Sequence, residues 1–251
     1  MRPPRWMRRA PFVREPLRRF AKRWAPRGPV EARAEGLTFA LAPRDNKVDF
    51  DIWYKARLEE AQERAFLTTH LKPGEWFIDI GANIGLYTIS LLSRVPGARA
   101  AAFEPLDKLR ARLAVNLERN GLSSGVAVRD EAVGPASEMR LFESRNAGRS
   151  SLLPFEGARE GRLVTVRPLR ALLEEIGAVP AALKIDVEGF EAEALLPYFD
   201  EAPPDRWPRA VVIETLHRGL WRRDCLHELL AKGYVMHGET DENALLVRRP
   251  S

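Results

Sequence analysis

The sequence predicts an α/β fold: a mostly parallel sheet with helices on both faces. Three observations carry this. Short apolar runs of strand length alternate with segments whose apolar residues step by three and four. The first run, Trp76 to Ile80, passes through a glycine-bracketed turn, Gly81 to Gly85, directly into a helical stretch where Leu86 and Ile89 resume. Acidic residues close one run after another, namely Asp79, Glu104, Asp130 with Glu131, Asp186 and Glu214. That is the end of the strands at which open α/β sheets receive ligands.

Charge divides the chain. Residues 1–29 hold ten Lys/Arg and one acid, whereas the rest holds 30 Lys/Arg against 34 Asp/Glu. The net +5 therefore belongs to a basic, proline-interrupted arm and not to the fold. Between Pro16 and Pro26, Leu17, Phe20, Ala21 and Trp24 share one face of a short basic amphipathic helix. Two readings stand for this arm: weak contact with an anionic membrane or polyanion, or packing of its aromatic face on the domain. The arm lacks the uninterrupted apolar core of a secretory signal. No run approaches the ~20 apolar residues that span a bilayer. Cys225 is the sole cysteine, so no internal disulfide forms, which suits a reducing compartment. A cytoplasmic protein is expected, peripheral to a membrane if the arm binds one. The expected division is an arm (1–29), a hairpin and helix segment packed on the core (30–74), and a core (75–251).

In order along the chain, residues 37–44 suit one strand of a hairpin. Asp51 is expected to cap a helix reaching to about residue 71, with Tyr54, Leu58, Ala61 and Ala65 inward, and Lys72-Pro73-Gly74 to end it. Strand one is Trp76–Ile80. Ala98–Phe103 is the second, and Pro105 is placed to open the helix that follows. That helix has Leu106, Leu109, Leu113 and Leu117 as its stripe and stops at Asn120-Gly121. Val126–Val133 is the third strand. Met139–Phe142 and Arg162–Val166 read as short strands around the loop Asn146–Leu152. Pro168–Ile176 is a helix closed by Gly177. Ala182–Val187 is the fourth strand, followed by a helix with Phe190, Ala194, Leu195 and Tyr198 on one side. Arg209–Ile213 is the fifth, followed by a helix with Leu226, Leu229 and Leu230 inward. Tyr234–His237 and Ala244–Val247 flank a polar turn as a closing antiparallel hairpin.

The glycine turn reads D-x-G-x-N-x-G. Asn83 stands where a dinucleotide fingerprint has its middle glycine, and no Walker lysine is present. Asp79 would repel a phosphate but suits a ligand ammonium, directly or through water. Glu104, 19 residues past Gly85, can accept both hydroxyls of a ribose. Asp130 or Glu131 is placed to receive an adenine amino group. A ligand with an amino acid end and a nucleoside end fits, which is S-adenosylmethionine. Its binding residues would be Asp79, the turn residues Gly81, Ala82, Asn83 and Gly85, then Glu104-Pro105, Asp130 and Glu131.

The segments Asp79–Gly85, Phe103-Glu104-Pro105, Gly148–Leu152 and Lys184-Ile185-Asp186-Val187-Glu188-Gly189-Phe190-Glu191 together resemble the motifs of FkbM-family S-adenosylmethionine-dependent methyltransferases, over about residues 45–248. The resemblance implies a Rossmann-like class I methyltransferase fold, a seven-stranded sheet of order 3-2-1-4-5-7-6. It also implies methylation of hydroxyl oxygens on small molecules, sugars or glycans. Two absences agree: the fourth strand is not followed by the Asn/Asp-Pro-Pro-Tyr/Phe segment of many nucleic-acid amino-methyltransferases, and Cys225 follows Asp224 and not a proline. No nucleic-acid partner is expected.

An alcohol must lose its proton as it attacks, so a base is sought. The candidates are Asp186, Glu188, Glu214 and His217, with Lys184 either pairing with an acid or snorkelling from a sheet edge. If the fourth strand continues, Glu188 points to the same side as Asp186. No metal is favoured, but Asp186 and Glu214 are the pair that would hold a divalent cation. Two other readings stay open: a nicotinamide-dependent oxidoreductase on a related fold, and a non-catalytic cofactor-fold protein tethered by its arm.

Overall fold

A computed structural model describes residues 21–144 and 147–249. The chain begins with a hairpin, β1 (Val30–Ala34) against β2 (Leu37–Leu41), and two helices, α1 (Lys47–Lys55) and α2 (Ala61–Thr69). Then come β3 (Trp76–Ile80), α3 (Leu86–Arg94), β4 (Arg99–Phe103), α4 (Asp107–Arg119) and β5 (Val126–Arg129). The middle holds β6 (Ala132–Val133), β7 (Ser137–Glu143), β8 (Arg159–Arg167) and α5 (Leu169–Ile176). The last part is β9 (Pro180–Ile185), α6 (Glu191–Glu201), β10 (Ala210–Glu214), α7 (Cys225–Ala231), β11 (Tyr234–Glu239) and β12 (Asn243–Arg248).

The main sheet runs β5-β4-β3-β9-β10-β12-β11. Numbering its strands by appearance gives 3-2-1-4-5-7-6, the expected order. Pairings from β5 through β10 are parallel, and β12 is antiparallel to both of its neighbours. β9 and β10 are buried at every residue, which is why both read as continuous apolar runs and not as alternating ones. β6, β7 and β8 make a separate three-stranded sheet. It occupies the crossover between β5 and β9.

Local chemistry explains where the elements differ from expectation. One helix from Asp51 to residue 71 is in fact two. Asn46, in extended conformation, caps α1 by accepting from the Val48 amide at 3.3 Å, and Asp51 lies buried in mid-helix. Ala56 and Glu60 both take left-handed backbone, φ 55° and 56°, and break the chain between α1 and α2. The inward face of α2 is then Glu63, Arg64, Phe66 and Leu67, while Ala61 and Ala65 are exposed. The third strand divides at Asp130, because β6 leaves the main sheet to pair with β8. β9 stops at Ile185, before Val187. The Leu stripe of α4 is buried as expected, and Gly177 caps α5 in left-handed conformation. On α7 Leu226 and Leu229 are buried, but Leu230 is exposed.

The N-terminal segment is held by polar anchors. Arg64 is 1% exposed, reaches Glu35 at the hairpin tip with two 3.0 Å bonds, and also donates to Ser90 of α3. Asn116 of α4 accepts from the Ala40 amide at 2.6 Å and donates to the Ile84 carbonyl at 3.0 Å. Buried Glu63 accepts from Thr240 at 2.6 Å and Asn243 at 3.3 Å in the turn between β11 and β12. Of the basic arm, residues 21–24 are helical, and Ala21 and Ala25 are buried. Arg44 donates to the carbonyls of Ala25 and Arg23, at 2.7 Å each. Residues 1–20 of the arm, with Leu17 and Phe20, lie outside the described residues. Among the described residues no helix is long and apolar enough to cross a membrane.

Candidate active site

The turn after β3 is built by close backbone approach. The Gly81 and Ala82 amides both donate to the Phe103 carbonyl at 3.0 Å. A Cβ on Gly81, whose φ is +77°, would sit on the Asp186 carbonyl, so only glycine lets β3 and the end of β9 meet there. Gly85, φ +87°, opens α3, but a Cβ there would strike Leu113 and Ile89 of the core and not a ligand.

Asn83 takes left-handed backbone, φ 53°, and its amide donates to Glu104 Oε2 at 2.9 Å. The Leu106 amide donates to Glu104 Oε1, also at 2.9 Å. Each oxygen of this carboxylate thus holds one amide and keeps a lone pair for a second donor. Glu104 is 6% exposed, and burial pushes its carboxyl up to about 7 against the pull of those amides. It lines a cleft together with Asn83, Pro105, Glu131, Leu152 and Phe190.

The other sequence candidates divide. Glu131 lines the cleft, but Arg129 holds it at 2.6 and 3.1 Å and Arg167 at 3.2 Å. The Arg129 bonds, despite partial burial, hold its carboxyl down to about 2. Asp130 is exposed and does not line the cleft. Asp79 is fully buried beneath the turn and does not line this cleft. Its Oδ2 accepts from the Thr88 amide at 3.2 Å and hydroxyl at 2.6 Å, while Oδ1 has no hydrogen-bond partner. Direct contact of Asp79 with a ligand ammonium is therefore replaced by a packing role at the start of α3.

Lys184 does not snorkel. It lies on the central strand β9 at 5% exposure. Its Nζ donates to the Gly81 carbonyl at 2.9 Å and lies 3.5 Å from Asp186 and 4.0 Å from Asp79. Burial works against its charge, but Asp186, Asp79 and Glu60 hold its pKa above the usual lysine range.

Around Asp186 the acids converge. Glu188 does not lie on a continuing strand; its φ of 55° turns the chain toward α6. The structure nevertheless brings it to His217, whose Nδ1 is 3.5 Å from Glu188 Oε2 and 3.4 Å from Glu214 Oε2. Burial, with the Asp186 charge, pushes both the Glu188 and Glu214 carboxyls up to about 8. Burial and Arg149 push His217 down. The imidazole Nδ1 thus faces two carboxyls that burial keeps largely protonated near neutral pH. Asp186, Glu191 and Glu214 each place an oxygen within 4.8 Å of the others. Glu191 was not a sequence candidate, and both its oxygens are engaged. Oε1 accepts from Val187 and Gly189 at 2.9 and 3.2 Å, and Oε2 from the Trp221 indole at 2.7 Å. Its place in the first turn of α6 after a Gly is the signal that could have marked it as a cap. Cys225 is buried, which pushes its thiol up, and it stands apart as a core residue.

The family described as Methyltransferase FkbM domain matches residues 79–238. AMB antimetabolite synthetase AmbE of Pseudomonas aeruginosa is 31% identical over 169 residues, covering 53% of this chain and 8% of that protein. Methyltransferase sdnD of Sordaria araneosa is 28% identical over 165 residues, covering 64% of this chain and 61% of its own. The chain thus spans less than two thirds of either relative. A SAM-dependent O-methyltransferase from Thermotoga maritima superposes with a TM-score of 0.49 at 13% identity, over 89% of this chain and 79% of that one, a likeness too slight to carry an argument. The family match sets aside the nicotinamide oxidoreductase reading of the glycine turn. With its motifs running from Asp79 through the acids around Asp186, the chain belongs to the FkbM methyltransferase family.

Proposed function

We propose that this enzyme is an S-adenosylmethionine-dependent O-methyltransferase acting on a hydroxyl of a small molecule, sugar or glycan. The observation that carries the reading is the junction at Asp186. The cleft that contains Glu104 ends there, against the Glu188, Glu214 and His217 cluster. The residues fit the cofactor: Glu104 has one free lone pair on each oxygen for ribose hydroxyls, and Phe103, Pro105 and Leu152 give apolar walls for a base. When bound, S-adenosylmethionine would supply an electrophilic methyl on a positively charged sulfur.

The protein's own residues would do the rest. The Asn83 and Leu106 amides fix Glu104, so that ribose positioning needs no rearrangement. Lys184 fixes the Gly81 carbonyl and steadies Asp186. The acceptor hydroxyl gives up its proton to the acid cluster. A carboxyl with a pKa near 8 is well matched to that task, because it binds the proton without being fully protonated beforehand. His217, whose Nδ1 faces both carboxyls, would hold them beside the acceptor. Incubation with methyl-labelled S-adenosylmethionine and a panel of hydroxylated acceptors tests this. A labelled ether is the expected product, whereas label found only on nitrogen or carbon would overturn the oxygen assignment.

A further inference from the structure

Asn46 lies before the residues matched to the family, 79–238, but its side chain reaches the glycine turn. It is 2% exposed. Its Oδ1 accepts from the Val48 amide at 3.3 Å, the capping bond of α1. Its Nδ2 donates to Asn83 Oδ1 at 2.7 Å and to Asp49 Oδ1 at 2.9 Å. Asp49 is fully buried and is held in turn by the Ala42 amide at 2.5 Å and by Arg112 of α4. With both N–H groups and its oxygen engaged, the Asn46 carboxamide has one orientation. A cap needs only the oxygen. The shorter bond, however, is the one to Asn83, so capping does not account for an asparagine here.

Asn83 is the residue whose amide holds Glu104 Oε2, at 2.9 Å, and it does so from left-handed backbone, φ 53°. A residue with a Cβ keeps that conformation only when its surroundings hold it there. The bond from Asn46 is such a hold. The loop after β7 rests on the same pair. A Cβ on Gly148 would stand 2.7 Å from Asn46 Oδ1 and 2.9 Å from Asn83 Nδ2, so only glycine lets the loop lie this close. The neighbouring Ala147 amide donates to the Asp45 carbonyl at 2.7 Å. Ala147 and Gly148 line the Glu104 cleft. Asp45 and Asn46 therefore hold two parts of its wall, the loop and the glycine turn.

We propose that Asn46 is a positioning residue for the ribose of the methyl donor: through the Asn83 side chain it fixes the amide that aims Glu104. The segment before the family match thereby completes the cofactor site. This rests on the S-adenosylmethionine reading above and adds to it a residue that does not itself line the Glu104 cleft.

The full chain is titrated by calorimetry with S-adenosylhomocysteine and with its 2′,3′-dideoxy analogue, which lacks the ribose hydroxyls. Asn46→Ser keeps a good capping oxygen but cannot donate to Asn83 as the carboxamide does. Its affinity for S-adenosylhomocysteine should fall roughly three- to tenfold, the effect of one neutral hydrogen bond. Its affinity for the dideoxy analogue should stay within about twofold of wild type. Asn83→Gly keeps left-handed backbone accessible and removes the side chain. On that background Asn46→Ser should cost nothing further, because the two act as one unit. Wild-type protein that does not bind S-adenosylhomocysteine would overturn the cofactor reading, and this inference with it. Normal wild-type binding with Asn46→Ser unchanged, or with both ligands weakened equally, would overturn this inference alone. An undiminished effect of Asn46→Ser in the Asn83→Gly protein would do the same. Thermal melts check that each variant is folded. If Asn46→Ser does not fold, Asn83→Gly decides alone: a smaller preference for S-adenosylhomocysteine over the analogue supports the inference, and an unchanged preference overturns it.

Discussion

Lys184 on β9 donates from Nζ to the carbonyl of Gly81 at 2.9 Å, joining residues 103 positions apart. One buried cation thereby serves the glycine turn, Asp186 and buried Asp79 together. Lys184→Met fills the space but leaves Asp79 without a counter-charge. Removing one partner of a buried pair costs about 3–5 kcal/mol. Urea unfolding should show a loss of about 3 kcal/mol, together with weaker binding of S-adenosylhomocysteine. A variant as stable as wild type would show that Asp79 is protonated or otherwise satisfied.

Gly81 and Gly85 separate on mutation. Gly81→Ala places a methyl group on the Asp186 carbonyl, so cofactor affinity should fall at least about tenfold, with strain of about 1–3 kcal/mol. Gly85→Val instead drives a side chain into Leu113 and Ile89, so its main effect should be on stability, by about 1–3 kcal/mol. Calorimetric affinity and thermal melts on both variants distinguish these. If Gly85→Val lost affinity at unchanged stability, the ligand and not the core would be its neighbour.

Stability and activity should move oppositely with pH. Glu188 and Glu214 have folded pKa values near 8, above the unfolded carboxyl value of about 4.3. Between those values the native state binds more protons than the unfolded chain, so their contribution to stability falls as pH rises from about 4.3 to 8. Over the upper part of that range the carboxyls ionise and become able to accept the acceptor's proton, so kcat/KM should rise toward pH 8. Glu188→Gln should flatten both curves. A kcat/KM profile that keeps its rise in Glu188→Gln would move the base to Glu214 or His217.

Asp186→Asn keeps the shape of the junction and removes its charge. Turnover should drop by about two orders of magnitude with S-adenosylhomocysteine affinity little changed. Dialysis against EDTA should leave wild-type activity intact, since Glu191 is already fully hydrogen-bonded and the cluster offers only Asp186 and Glu214 to a cation. Loss of activity in EDTA with recovery in Mg²⁺ would instead assign those two carboxylates to a metal.

Periodicity and punctuation made much of the fold legible. The stripe Leu106, Leu109, Leu113, Leu117, the cap at Gly177 and the all-apolar runs of β9 and β10 are local signals, and each is where the pattern places it. The break between α1 and α2 was not legible, because Ala56 and Glu60 take left-handed backbone that neither residue type announces. The Asn46 cap was hidden by the stronger-looking Asp51. In the site, the acids after strands β4, β9 and β10 followed from the strand pattern. Asp79 misled, because a strand-end acid in sequence can point into the core as readily as toward a ligand.

Glu63 on α2 has its partners at Thr240 and Asn243, at separations of 177 and 180 residues. During synthesis, at about 5–20 residues per second, this carboxylate waits roughly ten seconds or more for them. Strand β3 likewise waits for β9 to pair with its second edge. Nascent chains paused before residue 240 should therefore carry Glu63 unpaired, with this side of the domain still open.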